Sequence, residues 1–164
     1  MIDADTITPL VAPLADALRA KGWRLATAES CTGGLIAAAC TSLAGSSDWF
    51  ERGFVTYSYA AKTEQLGVDA ALIEQHGAVS EAVVCAMAAG ALARSPADIA
   101  VAVTGIAGPG GAVPGKPVGT VWLALMQRGG AVQAERLHLD GDRASIRAQT
   151  VVIALQRLRE VCAA

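Results

Sequence analysis

Little in this 164-residue chain suits a membrane, a metal centre or a nucleic acid. No stretch reaches the roughly 18 uninterrupted apolar residues of a spanning helix. The opening MIDADTITP carries acids where an export signal carries bases, so a cytoplasmic location is expected. The cysteines Cys31, Cys40, Cys85 and Cys162 form no CxxC pair and have no histidine partner at a zinc-like spacing. No metal site and no cofactor is expected, and Cys40, Cys85 and Cys162, in Ala-rich runs, read as reduced buried thiols. A net charge of −2 gives no electrostatic case for nucleic acid or an anionic membrane as partner. Aromatic residues are only 4% of a chain that is 53% hydrophobic, so Ala- and Gly-rich, tight helix-on-sheet packing is expected. That apolar share excludes a disordered chain, and the length suits one domain over residues 1–164.

No internal repeat or linker interrupts the pattern. A first helix is expected from about Pro9 to Lys21, capped by Thr8, with Leu10, Leu14 and Leu18 at a four-residue step and Gly22 as its stop. RLATAE (24–29) reads as a strand ending at Ser30, Gly33 to Leu43 as a helix, and GFVTYS (53–58) as a second strand. Short helices follow at Ala60–Leu66 and Ala70–His76, and Ser80 caps a longer one through Arg94. DIAVAVTG (98–105) is apolar enough for burial on both faces. VGTVWLALM (118–126) and VQAERLHL (132–139) form a hairpin around Gly129-Gly130, and a last helix runs from Arg143 to Val161, capped by Asp140 or Asp142. The fold class is α/β: a three-layer α/β/α sandwich with a mixed, mostly parallel five-stranded sheet.

Ligands of open α/β sheets bind beyond the carboxyl ends of strands, which singles out residues 30–34, 57–62 and 104–117. Ser30 precedes Thr32-Gly33-Gly34 at an expected helix start, where free amides hold an anion or a developing oxyanion. A plain helix cap by Ser30 or Thr32 is the alternative. Cys31 is a rival nucleophile without a histidine to activate it. His76 falls at a helix end and His138 alternates with leucines, so neither pairs convincingly with Ser30. Lys62 is the better base if burial keeps it neutral, and Tyr57 could relay a proton or orient it; a solvated lysine and a strand aromatic are the alternatives.

The segment 105–117 contains a P-loop decoy. Gly110 to Gly115-Lys116 fits GxxxxGK, but Pro117 stands where Ser or Thr would hold magnesium, and a strand follows. The loop still suits close approach to a flat ligand, with Thr104 and Gly105 at its mouth. Arg143 and Arg147 lie one turn apart at a helix N-terminus, a placement that suits an anionic ligand or, for Arg147, a carboxylate partner.

TAESCTGG (27–34), GSSDWFERGFVTYSYAAK (45–62), QHGAVSE (75–81), VTGIAGPGG (103–111), KPVGTVW (116–122) and GDR (141–143) together resemble the CinA C-terminal-domain family, in particular its stand-alone nicotinamide-nucleotide amidohydrolases (NMN deamidases). The resemblance implies hydrolysis of nicotinamide mononucleotide to nicotinate mononucleotide and ammonia in pyridine-nucleotide (NAD) recycling, without a cofactor, by a homo-oligomer (dimer or higher). It implies a serine nucleophile at Ser30, a lysine base at Lys62 and a tyrosine at Tyr57; beside that, the helix start itself leads us to expect backbone amides near Thr32 to Gly34 to hold the oxyanion. It also implies substrate contacts at Ser47, Thr104 and Arg143, with Arg147 a further candidate for the phosphate. Tyr59 and the loop 109–115 depart from the family pattern, and the pyrophosphatase-like N-terminal domain of longer members has no counterpart in this sequence. Two other readings compete: a catalytically silent pyridine-nucleotide-binding module, and a Ser/Lys amidase for another small amide.

Overall fold

The computed structural model describes residues 3–164. The first helix, α1, spans Ala4–Lys21 and begins five residues before the expected start. Asp3 caps it by accepting from the Thr6 amide at 2.8 Å, and Pro9 and Pro13 lie inside it. Prolines normally break a helix interior because they remove a donor. Here Pro9 is exposed and Pro13 half-buried, so water reaches the freed carbonyls, while Ile7, Val11, Leu14 and Leu18 form a buried stripe. Burying each of those side chains contributes about 1.5–3 kcal/mol, enough to override the local rule.

Five strands form one sheet in the order β2-β1-β3-β4-β5, where β1 is Leu25–Glu29, β2 Phe50–Val55, β3 Ile99–Gly105, β4 Thr120–Gln127 and β5 Val132–His138. β1 pairs in parallel with β2 and β3, while β4 pairs antiparallel with β3 and β5, so four of five strands run the same way. The expected mixed sheet with a terminal hairpin is observed. β2 lies earlier than expected, because an irregularity between Leu25 and Ala26 shifts the register and brings Phe50 into the ladder.

Side-chain alternation along the strands sorts the two faces. Leu25, Ile99, Val101, Val103, Leu123 and Leu125 pack with α1, α2 (Leu35–Thr41) and α6 (Arg143–Ala163). Ala26, Ala28, Ala100, Ala102 and Ala124 pack with α3 (Tyr59–Leu66), α4 (Ala70–His76) and α5 (Glu81–Ala93). Small side chains on that second face admit the close packing that the composition suggested. At Gly90 of α5 a Cβ would collide with the Leu66 carbonyl of α3, so only glycine fits there.

The chain leaves β1 through α2 to reach β2, then returns through α3–α5 on the opposite face to reach β3. Right-handed crossovers require this switch of face, and it leaves a crevice at the carboxyl ends of β1 and β3. Every candidate residue except Ser47 approaches that end of the sheet.

Candidate active site

Lys62 lies in the first turns of α3, which Ser58 caps by accepting from the Ala61 amide at 3.0 Å. The Lys62 side chain runs inward and is only 1% exposed. Its Nζ stands 2.9 Å from Ser30 Oγ, 2.7 Å from the Thr56 carbonyl oxygen and 3.5 Å from that of Tyr57. Burial lowers the ammonium pKa from 10.5 to about 8. No carboxylate pairs with Lys62 among the described residues. The carbonyls of Thr56 and Tyr57 only accept, so they take two N–H bonds of a neutral amine. In the neutral amine the remaining direction, toward Ser30, is the lone pair; in the ammonium form Nζ donates to Ser30 Oγ.

Ser30 follows β1 directly, and its amide donates to the Val103 carbonyl of β3 at 3.1 Å. The expected helix at Gly33 starts only at Leu35, because Gly33 (φ 60°) and Gly34 (φ 101°) take left-handed conformations that end in a turn. Ser30 therefore does not cap the helix. Glu29 does so from within the sheet, and no residue reading had singled it out. Its carboxylate accepts from Thr32 Oγ1 at 2.6 Å, the Ile36 amide at 2.8 Å and the Ala37 amide at 3.0 Å. The positive end of α2 is thus occupied by the protein's own fully buried carboxylate. A signal existed in the alternation: Glu29 shares a strand face with Leu25 and Thr27, so it had to point toward α2.

Glu29's grip narrows the groups of this turn that face the cleft. Thr32 is buried with its hydroxyl turned to Glu29, and the Gly33 amide donates to the Ser30 carbonyl at 3.0 Å. Thr32, Gly33 and Gly34 do not line the cleft. Cys31 does, and its amide donates to no group among the described residues. Its thiol is pushed up to about 11, chiefly by burial and further by the nearby Glu29, which leaves little thiolate at neutral pH.

The cleft has a volume of about 240 Å³ and joins Ser30 and Lys62 to Tyr57, Thr104, Gly105 and Arg143. Thr104 donates its hydroxyl to the Ala78 carbonyl at 3.0 Å, so it presents only a lone pair inward. Gly105 lies flush against the next strand, where a Cβ would come within 2.7 Å of Val121 Cγ2. The Tyr57 phenol accepts from Arg143 Nη2 at 2.9 Å, and Arg143 Nη1 donates to the Gly108 carbonyl at 2.8 Å. The hydrogen bond between Tyr57 and Lys62 thus runs through the Tyr57 backbone carbonyl, while the phenol is engaged by Arg143.

Two expected contacts lie elsewhere. Ser47 is exposed in a 3-10 turn (Ser46–Asp48) before β2, at the opposite end of the parallel strands. The length of β1 separates it from Ser30, roughly 17 Å at the usual rise per residue. Arg147 pairs with no carboxylate and does not line the cleft; it donates to the carbonyls of Cys31 at 3.1 Å and Thr32 at 3.2 Å. His76 and His138 also lie outside the cleft. Cys85 is half-buried, whereas the other three cysteines are buried. A larger groove of about 460 Å³ between α3 and α4 is lined by Tyr59, Thr63, Glu64, Ile73 and Glu74 and contains neither Ser30 nor Lys62. Among the described residues no group of three or more metal-ligating side chains gathers, and no helix is long and apolar enough to cross a membrane.

A buried Ser–Lys pair thus lies at the switch point of a mixed α/β sheet, an arrangement whose chemistry is compatible with acyl transfer. Residues 7–162 match the CinA C-terminal domain, and the chain belongs to that family. It is 57% identical over 145 residues to the nicotinamide-nucleotide amidohydrolase PncC of Enterobacter agglomerans, covering 88% of each chain. The protein of the same name from Pseudomonas putida is 55% identical over 157 residues, 96% of this chain and 98% of that one. Among solved structures, competence/damage inducible protein CihA from Agrobacterium tumefaciens superposes with a TM-score of 0.93 at 45% identity, covering 100% of this chain and 99% of that one.

Proposed function

We propose that the protein hydrolyses the carboxamide of nicotinamide mononucleotide, giving nicotinate mononucleotide and ammonia through an acyl-enzyme on Ser30. The observation that carries this reading is the buried Lys62 amine 2.9 Å from Ser30 Oγ, with its other contacts on carbonyl oxygens. Neutral Lys62 takes the hydroxyl proton as Oγ bonds to the carboxamide carbon, whose electrophilicity the cationic pyridinium raises. The Cys31 amide holds the resulting oxyanion. Lys62 returns its proton to the departing nitrogen as the C–N bond breaks, releasing ammonia. Water then attacks the acyl carbon while Lys62 accepts its proton, and that proton returns to Ser30 Oγ as the ester bond breaks.

The cleft is smaller than the roughly 300–1,000 Å³ of drug-sized pockets, which suits a pyridine ring and ribose better than a dinucleotide. Tyr57 and Tyr59, exposed by 58% and 64%, line it and offer aromatic faces to a cationic ring. Arg143 retains free N–H donors beyond its bonds to Tyr57 and Gly108, which suits the 5′-phosphate. The product class places the enzyme in pyridine-nucleotide recycling, and a homo-oligomer in the cytoplasm is the setting proposed with it.

Ammonia release from nicotinamide mononucleotide, measured with EDTA present, tests the reading. Turnover with kcat/KM rising through an apparent pKa of about 8 is expected, because only the neutral amine accepts the serine proton. Binding without turnover would instead identify a sensor module, and turnover restricted to other amides a different amidase.

A further inference from the structure

We propose that Arg147 is a positioning residue for the nucleophile's turn, acting on the oxyanion-holding amide and not on the substrate's phosphate; this rests on the deamidase reading above. Arg147 stands on the first turns of α6, 116 residues along the chain from Cys31. Its Nε and Nη2 donate to the Cys31 and Thr32 carbonyls at 3.1 and 3.2 Å, behind the turn that carries Ser30. A Cβ on Gly33 would meet the same Nη2 at 3.4 Å, so the guanidinium lies directly over this turn.

The peptide planes then form a chain. In a trans peptide the C=O and the following N–H point in opposite directions. Arg147 at 3.2 Å and the Leu35 amide at 3.1 Å together hold the Thr32 carbonyl, so the Gly33 N–H faces the other way, where it donates to the Ser30 carbonyl at 3.0 Å. Holding the Ser30 carbonyl in turn directs the Cys31 N–H outward from the turn. Among the described residues that amide, directly after the nucleophile and in a residue that lines the cleft, donates to no protein group. Linked hydrogen bonds polarise one another, so the guanidinium charge strengthens the Cys31 donor through two peptide units. Arg143 does a different job: it lines the cleft, and Arg147 does not.

The test compares Arg147→Ala and Arg147→Lys with Arg143→Ala, on nicotinamide mononucleotide and on phosphate-free nicotinamide riboside. Positioning predicts that Arg147→Ala lowers kcat by about 100-fold, the scale of losing one oxyanion donor, with KM for the mononucleotide nearly unchanged. The fold-loss in kcat/KM is the same on both substrates. Arg147→Lys keeps the charge but not the two-carbonyl fork and falls between Arg147→Ala and the native protein. Arg143→Ala raises KM for the mononucleotide and loses that effect on the riboside. A rise in KM with kcat unchanged for Arg147→Ala, vanishing on the riboside, overturns the proposal.

A second readout needs no substrate. The rate at which a small fluorophosphonate labels Ser30 should fall at least about tenfold in Arg147→Ala and stay native in Arg159→Ala, an exposed arginine of α6 outside the cleft, because the phosphonyl oxygen also needs the donor. Equal labelling rates in Arg147→Ala and the native protein, with thermal unfolding confirming the fold, overturn it as well. A native protein that is labelled yet releases no ammonia refutes the deamidase reading alone, and labelling then decides the role of Arg147.

Discussion

A buried, unpaired lysine ties stability to pH in a way that a single substitution isolates. In the unfolded chain Lys62 titrates near 10.5, and in the fold near 8. Above 10.5 it is neutral in both states and adds no titration term to stability. As pH falls from 10.5 to 8 the unfolded chain binds the proton first, so stability falls; below 8 the loss is complete and constant. At about 1.4 kcal/mol per pH unit, the full loss is roughly 3 kcal/mol. Lys62→Met removes the titration, fills similar space and gives up the bond to the Thr56 carbonyl, a cost that does not depend on pH. The difference in unfolding free energy between the Met variant and the native protein should therefore grow by roughly 3 kcal/mol in the variant's favour between pH 10.5 and 7. For a domain of this size that is roughly 6–12 °C in relative Tm. Urea unfolding of both proteins at unit pH steps measures it, and other groups cancel in the difference. A difference flat with pH, or one running the other way, would refute the claim that burial lowers the pKa of Lys62 in the fold. The same burial that costs stability makes the amine a base near neutral pH.

The remaining predictions concern the nucleophile, the turn and the packing. Ser30→Ala should abolish ammonia release while Cys31→Ala retains most of it, since the Cys31 thiol is pushed up to about 11; the reverse pattern in a steady-state assay would assign the acyl group to sulfur. Glu29→Gln places an amide NH₂ against donors now held by the carboxylate and should destabilise the fold by about 1–3 kcal/mol in urea titrations. An unchanged midpoint would show that the carboxylate does not hold α2. Gly90→Ala drives a Cβ into the Leu66 backbone, which no rotamer relieves, and should cost about 1–3 kcal/mol or more while displacing α3 and its Lys62; native activity and midpoint together would contradict that packing.

Much of the molecule was legible one residue at a time. Ser80, Asp142 and Gly22 cap their helices as their side chains or freedom at positive φ dictate, because capping depends on neighbours within a few residues. The alternation Ile99-Ala100-Val101-Ala102-Val103 announced a strand buried on both faces, with a large-residue side and a small one. The lack of a credible histidine in the sequence left Lys62 as the candidate base. Local rules failed where distant burial outweighed them, as at Pro9 and Pro13 in α1, or where two left-handed glycines delayed α2.

What the chain determined by itself was the order of its elements, the faces they bury and the residue types available at the strand ends, since all three follow from periodicity and local conformational preference. The tertiary structure decided which atoms meet. It placed Lys62 Nζ between Ser30 and the Thr56 carbonyl, turned the Tyr57 phenol to Arg143, and sent Ser47 to the far end of the sheet. It also gave Arg147 to two backbone carbonyls more than 100 residues away. Backbone carbonyls carry no sequence signature, and the direction of a long side chain is set by what packs around it, so those assignments exist only once the sheet and its helices have closed.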